Sequence, residues 1–492
     1  MAANIFTGAT NSNWGTSTNW SLGAVPTATD ANTATFDATS PNCTVNVTAV
    51  CNNIDFTGYT NTITMTNGIT VSGNVTFVST MASRVAGSGL LTINTASTIT
   101  TNGATWPNDL IFTAATSTIF TITGTLTISG IMYPNAGPGN TQLNNGEVIC
   151  NGGISWSLGS STLAGTSPIT LSGGTLNAGA FGFITSDNFR FNGNCTVTGT
   201  LQFNLGIMTH LSGEVDWTNS TVNTAGGARF NLGTMPTALN NLTLSGAAPT
   251  TTLQSNLYVN GTVTLSASGT TIWTGNTLYI GGNLTHSTNS TQTGTTTFVM
   301  NGTGTYSAAS INCIIRNNFT INTTGKITFG AIIAYNTGTF TYLSGKVVVP
   351  KNAIMYVAAT TTLINCHKIN FETVQITAGT TTTMNEFFSG SPNKPVKVIS
   401  SALANYNIAF QNGYEKIAKY VKVSNLTLTN TAASRGSLLI LNNKGKYFRG
   451  SNNIGNIRYT NTTPNGIAKG DPTVPNQMTA PIGGYLSDPV FN

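Results

Sequence analysis

The chain has 492 residues, of which 39% are hydrophobic and only 7% charged, with a net charge of +6 and 53 glycines. That charge content is far below the roughly 25% of an ordinary soluble domain, so hydroxyls and amides must form the polar surface. The 22 Phe and 14 Tyr argue against a solvated coil, and a background of Thr, Asn, Ser and Gly disfavours helix throughout.

From the N-terminus, residues 1–40 carry Trp14, Trp20 and Phe36, aromatic bulk suited to an N-terminal cap that closes an open sheet end. Between Met1 and Pro26 no basic start precedes an apolar run, so no secretory leader is expected, and no stretch approaches a membrane span. Cys43, Cys51, Cys150, Cys195, Cys313 and Cys366 form no C-x-x-C pair and read as buried thiols, not metal ligands. Cys43 and Cys51 are close enough in sequence for a disulfide but are read as reduced.

Residues 41–325 contain no lysine and repeat two short patterns. One is Asn, apolar, any, apolar, at Asn53–Phe56, Asn74–Phe77, Asn188–Phe191, Asn241–Leu244, Asn318–Ile321 and, further on, Asn425–Leu428. The other is apolar-Thr-apolar-Ser-Gly, at Ile69–Gly73, Leu126–Gly130, Ile169–Gly173 and Leu242–Gly246. Both have the period of a strand, aliphatic residues to one side and threonines to the other. Each ends on Gly or Asn, which tolerate positive φ at a corner. Strands this short are stable only when stacked. The fold class is therefore all-β, a β-solenoid of parallel β-helix type with coils of roughly twenty residues. Several β-sandwich domains are the alternative.

Catalytic chemistry has few carriers. His210, His286 and His367 stand apart, with no acidic neighbour at ligand spacing, and read as ordinary surface or core residues. Glu214 and Asp216 are the best acid pair: as alternate residues of a strand they project from one face, beside Trp217, a candidate for stacking on a sugar ring. Neighbouring carboxylates on a solvated strand are commonplace, so the chain reads as non-enzymatic. Neither a metal nor a cofactor is expected. Gly-rich segments such as Gly137–Asn140 lack a phosphate-loop ending, and the Asn-x-Thr triplets follow from composition.

Every lysine lies at or after Lys326. Before it four arginines face eight acidic residues, for −4; from it onward 15 basic residues face five acidic, for +10. Residues 326–460 thus form a basic β region. Its densest groups are Lys416, Lys419 and Lys422, then Lys444, Lys446 and Arg449, interleaved with Tyr420, Tyr447 and Phe448. Edge protection and solubility are the expected role, with a face for acidic surface glycan as the alternative. Beyond Thr460, Pro464, Pro472, Pro475, Pro481 and Pro489 break strand pairing and mark residues 461–492 as an extended tail.

The opening Asn19-Trp20-Ser21, Gly23, Val25-Pro26-Thr27, Asp30 and Ala34-Thr35-Phe36-Asp37, with the alternating Cys43–Phe56 region, resembles the start of β-helical bacterial surface proteins, the autotransporter-associated and adhesin-like repeat proteins. The Asn/Thr/Gly-rich texture is similar to that of tailed-phage virion proteins. The specific part of the resemblance ends near Phe56, and the remainder of the chain matches in texture alone. The resemblance implies a passive stalk, adhesin or fibre and no catalytic residue. With no leader expected, the function expected is a structural, adhesive virion protein of a tailed bacteriophage, a fibre, spike or capsid decoration at the virion surface. Its expected partners are itself, as a homo-oligomer with a trimer among the options, other virion proteins and a host surface glycan, without nucleic acid or membrane insertion. The alternatives are a bacterial cell-surface adhesin and a glycan-degrading tailspike.

Overall fold

Alternation at the shortest range dictates the architecture. In Ile69–Val71, Leu126–Ile128 and Ile169–Leu171 the flanking aliphatic side chains are essentially fully buried, while Thr70 and Thr127 between them stay partly exposed. A strand of three or four residues with one apolar face cannot bury it alone, so it pairs with the equivalent strand of the next coil. The computed structural model describes residues 2–411 except 114–116, 136–139, 158–161, 180–181, 186–187, 205, 233–237, 337, 359, 391–395 and 403–405. Beyond these it describes the strands Lys416–Lys419, Val421–Val423, Leu426–Leu428, Leu438–Leu441 and Ile457–Thr460.

Two units are present, Met1–Leu242 with Gln254–Asn256, and Thr243–Leu253 with Leu257–Asn492. Each is a β-solenoid. In the first, Ile69, Leu91, Leu110, Met132, Ile154, Leu176 and Val197 stack in register, one per coil. In the second, Leu257, Leu278, Phe298, Phe319, Phe340, Leu363, Met384 and Phe410 do the same. The coils differ in length: the step from Leu91 to Leu110 is short and that from Met384 to Phe410 long. These ladder side chains are all buried, each contributing roughly 1.5–3 kcal/mol of hydrophobic stabilisation. The ladders within both units are parallel, which rules out the β-sandwich alternative, whose sheets are antiparallel. Among the described residues helix is confined to the single turn Met81–Arg84 and the 3-10 turns Ser17–Asn19 and Cys366–Lys368.

Asparagine connects the coils where the backbone ladder stops. Asn53 Oδ1 accepts from Asn74 N–H at 2.8 Å, and Asn74 Oδ1 from Thr98 N–H at 2.8 Å. Asn194 receives Glu214 N–H, Asn283 Thr305 N–H and Asn318 Thr339 N–H, at 2.8–3.0 Å. In the other direction, Asn52, Asn102 and Asn276 donate Nδ2–H to a carbonyl one coil back, at 2.7–3.0 Å. A corner that turns out of the sheet leaves its N–H and C=O groups without ladder partners, and a buried group left so costs about 1–3 kcal/mol. Corner residues also take the expected backbone: Asn102, Asn145, Asn352 and Asn365 have positive φ, as does Gly173 at +79°. Gly73 serves differently. A Cβ there would lie 2.5 Å from Asn53 Oδ1 and 2.7 Å from the Asn52 carbonyl oxygen, so the close approach of the preceding coil requires glycine.

The aromatic residues of the N-terminal segment form one buried cluster. Trp14 and Trp20 meet edge to face at 4.8 Å, Phe6 lies 5.2 Å from Trp20, and Phe36 stacks on both Phe6 and Phe56. The Trp20 indole donates to the Trp14 carbonyl at 2.9 Å. Outside this cluster, the segment 19–24 runs back along the first strand, Ala3–Ile5. Ser21 N–H donates to the Ile5 carbonyl at 2.8 Å, Ile5 N–H to Ser21 Oγ at 2.8 Å, and Asn4 Nδ2–H to the Ala24 carbonyl at 2.9 Å. The N–H and C=O that Ile5 would present to another chain at this edge are thus occupied from within.

All six cysteines are buried free thiols. Cys43 and Cys51 sit on separate strands, Cys43–Thr44 and Ala49–Cys51, and burial pushes the Cys51 thiol up to about 12, far from a reactive thiolate.

Candidate functional site

The acid pair lies at the start of a strand of the first unit, Val215–Thr224. Val215 and Trp217 are buried while Glu214 and Asp216 are exposed, so the two carboxylates do share the outer face. Trp217 does not join them, which corrects the sugar-stacking expectation. The period of two that brings the carboxylates together sends the indole to the opposite side, where it is 1% exposed and meets Phe191 edge to face at 5.3 Å. A bulge at this point, between Thr196 and Thr198 of the preceding coil, leaves Asp216 to accept Thr218 N–H at 2.9 Å. The Thr218 hydroxyl and N–H hold the Asp216 carboxyl below its usual range. It therefore stays ionised at neutral pH, the state of a glycosidase's nucleophile or base and not of its proton donor. Nearby, His210 Nε2 lies 3.0 Å from the Gly213 carbonyl.

Elsewhere on the first unit's surface, Glu147 and Arg190 form an ion pair at 3.2 Å, bridging across Thr170, whose hydroxyl lies 3.5 Å from the same carboxylate oxygen. Both partners are about one-third exposed, so the pair contributes no more than about 1 kcal/mol.

A second polar constellation lies inside the second unit. His286 is placed inward by its register between Leu265 and Ala308, and its Nε2 is 2.7 Å from Ser290 Oγ. Gln292 Nε2–H donates to Ser290 Oγ at 3.1 Å, and the Trp273 indole donates to Gln292 Oε1 at 2.9 Å. His286 Nδ1 and the hydroxyls of Thr251 and Thr271 find no protein partner. Burial pushes the His286 imidazole down to about 4, so it is neutral at physiological pH. A serine and histidine at this distance are the components of a nucleophile–base pair, but no carboxylate among the described residues orients the ring and His286, Ser290 and Gln292 are sealed from solvent. The arrangement is structural chemistry: four polar groups made compatible with a core by bonding one another. In the sequence His286 stands as an ordinary residue, with nothing to mark Gln292 or Trp273 as its network.

The basic region contains lysines in direct register. Lys326 of the strand Phe319–Phe329 pairs with Lys346 of Thr339–Val348, and Lys397 of Val396–Ser400 pairs with Lys422 of Val421–Val423. Lys326, Lys346 and Lys397 are exposed. Of the residues singled out from the sequence, Lys422 is thus one member of such a pair; Lys416 and Lys419 bound a strand that pairs with Leu438–Leu441, and Lys444, Lys446, Arg449 and the tail 461–492 lie outside the described residues. The signal for Lys326 and Lys346 is a separation of one coil, which becomes meaningful only when the coil length is known.

Among the described residues no group of three or more His, Cys, Asp or Glu is placed to hold a metal ion, and no helix is long and apolar enough to cross a membrane. No protein-family model, curated protein or solved structure matches the chain.

Proposed function

We propose that the chain is a structural, adhesive protein of a tailed-phage virion, a fibre, spike or capsid decoration that presents an attachment surface. The observation that carries this reading is the stacking of coils whose inward ladders are apolar and whose outward positions are mostly threonine, asparagine and serine. Such a scaffold repeats the same hydroxyl and amide surface coil after coil, which suits many weak contacts to an extended ligand. Supporting it, the backbone groups of Ile5 at the edge of the strand Ala3–Ile5 are occupied by Ser21, which disfavours pairing of another chain there. The thiols are buried and the Ser290–His286 pair is enclosed.

Immunogold labelling tests the assignment. Antibody against the recombinant chain should decorate phage particles in lysates of a strain carrying the gene. Gold on the envelope of uninfected cells with bare particles would overturn the virion reading in favour of a bacterial adhesin. Light scattering after size exclusion should give a mass above the 51.1 kDa of one chain; a stable monomer that binds no particle component would count against it equally.

A further inference from the structure

The opposition of Lys326 and Lys346 is not accounted for by edge protection, the role expected of lysines from sequence. An edge strand has a free side, whereas the strand carrying Lys326, Phe319–Phe329, is flanked on each side, by Gly304–Ala308 and by Thr339–Val348. Like charges directly opposite one another on neighbouring strands repel, and no carboxylate among the described residues pairs with either ammonium. Between described residues the one ion pair is Glu147–Arg190, in the other unit. Around the two lysines the exposed groups include the neutral hydrogen-bonding Asn322, Thr324 and Ser344, with Ser344 Oγ donating to Asn322 Oδ1 at 3.0 Å, and one apolar side chain, Leu343.

We propose that the register-paired lysines Lys326 and Lys346 form a binding strip for a linear acidic glycan laid along the stacking direction of the coils. Neighbouring strands are about 4.8 Å apart, close to the length of one sugar unit, so a polymer with a carboxylate on each unit meets the two ammonium groups with consecutive units. The surrounding amides and hydroxyls suit sugar hydroxyls. Nucleic acid is the less suited polyanion: single strands are gripped by stacking on exposed aromatic faces, and here Tyr306, Phe319 and Phe329 are buried while the Tyr342 hydroxyl is tied to the Gly345 carbonyl at 2.5 Å. This inference rests on the attachment reading and names its ligand.

The test is titration of the full chain with polygalacturonate, neutral dextran and single-stranded DNA at low and physiological salt. Polygalacturonate should bind, weaken as salt rises, and exceed both other polymers. The double substitution Lys326→Gln with Lys346→Gln should lower that affinity at least tenfold, with a melting temperature equal to or above that of the parent, because removing a like-charge pair does not harm the fold. Lys326→Arg with Lys346→Arg, which keeps both charges, should retain most of the binding. Absence of polygalacturonate binding, indifference to the glutamine pair, or preference for DNA would each overturn the strip. Such a failure with particles still labelled by antibody condemns the ligand alone; unlabelled particles with glycan binding intact condemn the virion assignment alone.

Discussion

His286 Nε2 sits 2.7 Å from Ser290 Oγ inside the second unit, with no carboxylate among the described residues placed to stabilise a protonated ring. Burial lowers the folded pKa to about 4 from about 6.5 in the unfolded chain. The unfolded state therefore binds more protons between these values, and stability falls as pH drops. The contribution is complete above about pH 6.5 and is lost progressively toward pH 4, up to roughly 3 kcal/mol by linkage. Urea midpoints for the second unit's transition should decline over that window, and His286→Gln should flatten the decline.

Trp217 belongs to the core and not to a ligand face. Trp217→Ala should destabilise the first unit by about 3–5 kcal/mol, read as an earlier thermal transition. Glycan affinity per folded molecule should be unchanged. An affinity loss at full folding would place the indole at the surface after all.

Gly73 and Asn74 test the inter-coil bonds. Gly73→Ala forces a methyl into the Asn52 and Asn53 side chains and the Asn52 carbonyl, and should cost roughly 1–3 kcal/mol. Asn74→Ala removes the acceptor for Thr98 N–H and should cost about 1 kcal/mol, while Asn74→Asp, which keeps the acceptor, should cost less. Hydrogen exchange at the Thr98 amide checks this directly: it should quicken in Asn74→Ala and stay slow in Asn74→Asp.

The aromatic cluster holds the segment 19–24 in place. Trp20→Ala removes contacts to Phe6, Trp14 and Phe36 and should cost about 3–5 kcal/mol. It should also free the edge of Ala3–Ile5, so static light scattering should report concentration-dependent aggregation that the parent chain does not show.

Much of this molecule is legible before folding, because its core is built from local alternation. Ile69-Thr70-Val71 already states which side chains go inward, and of the asparagines ahead of the apolar pairs, Asn53, Asn74 and Asn318 bond from coil to coil. The sugar-stacking expectation for Trp217 violates the same rule: a residue that follows Asp216 in a strand cannot share its face. What alternation cannot supply is the partner one coil away, since coil length varies with each corner. Hence the network of His286, Ser290, Gln292 and Trp273, and the opposition of Lys326 and Lys346, emerge only from the register.

Coils as unequal as the one from Leu91 to Leu110 and the one from Met384 to Phe410 nevertheless keep their inward side chains aligned, because a corner amide such as that of Asn53 fixes where the following strand begins. The difference in residue number falls between the paired strands, at the bends. Natural variants of this chain should accordingly differ by insertions and deletions at those bends, letting recognition diversify while the interior keeps count.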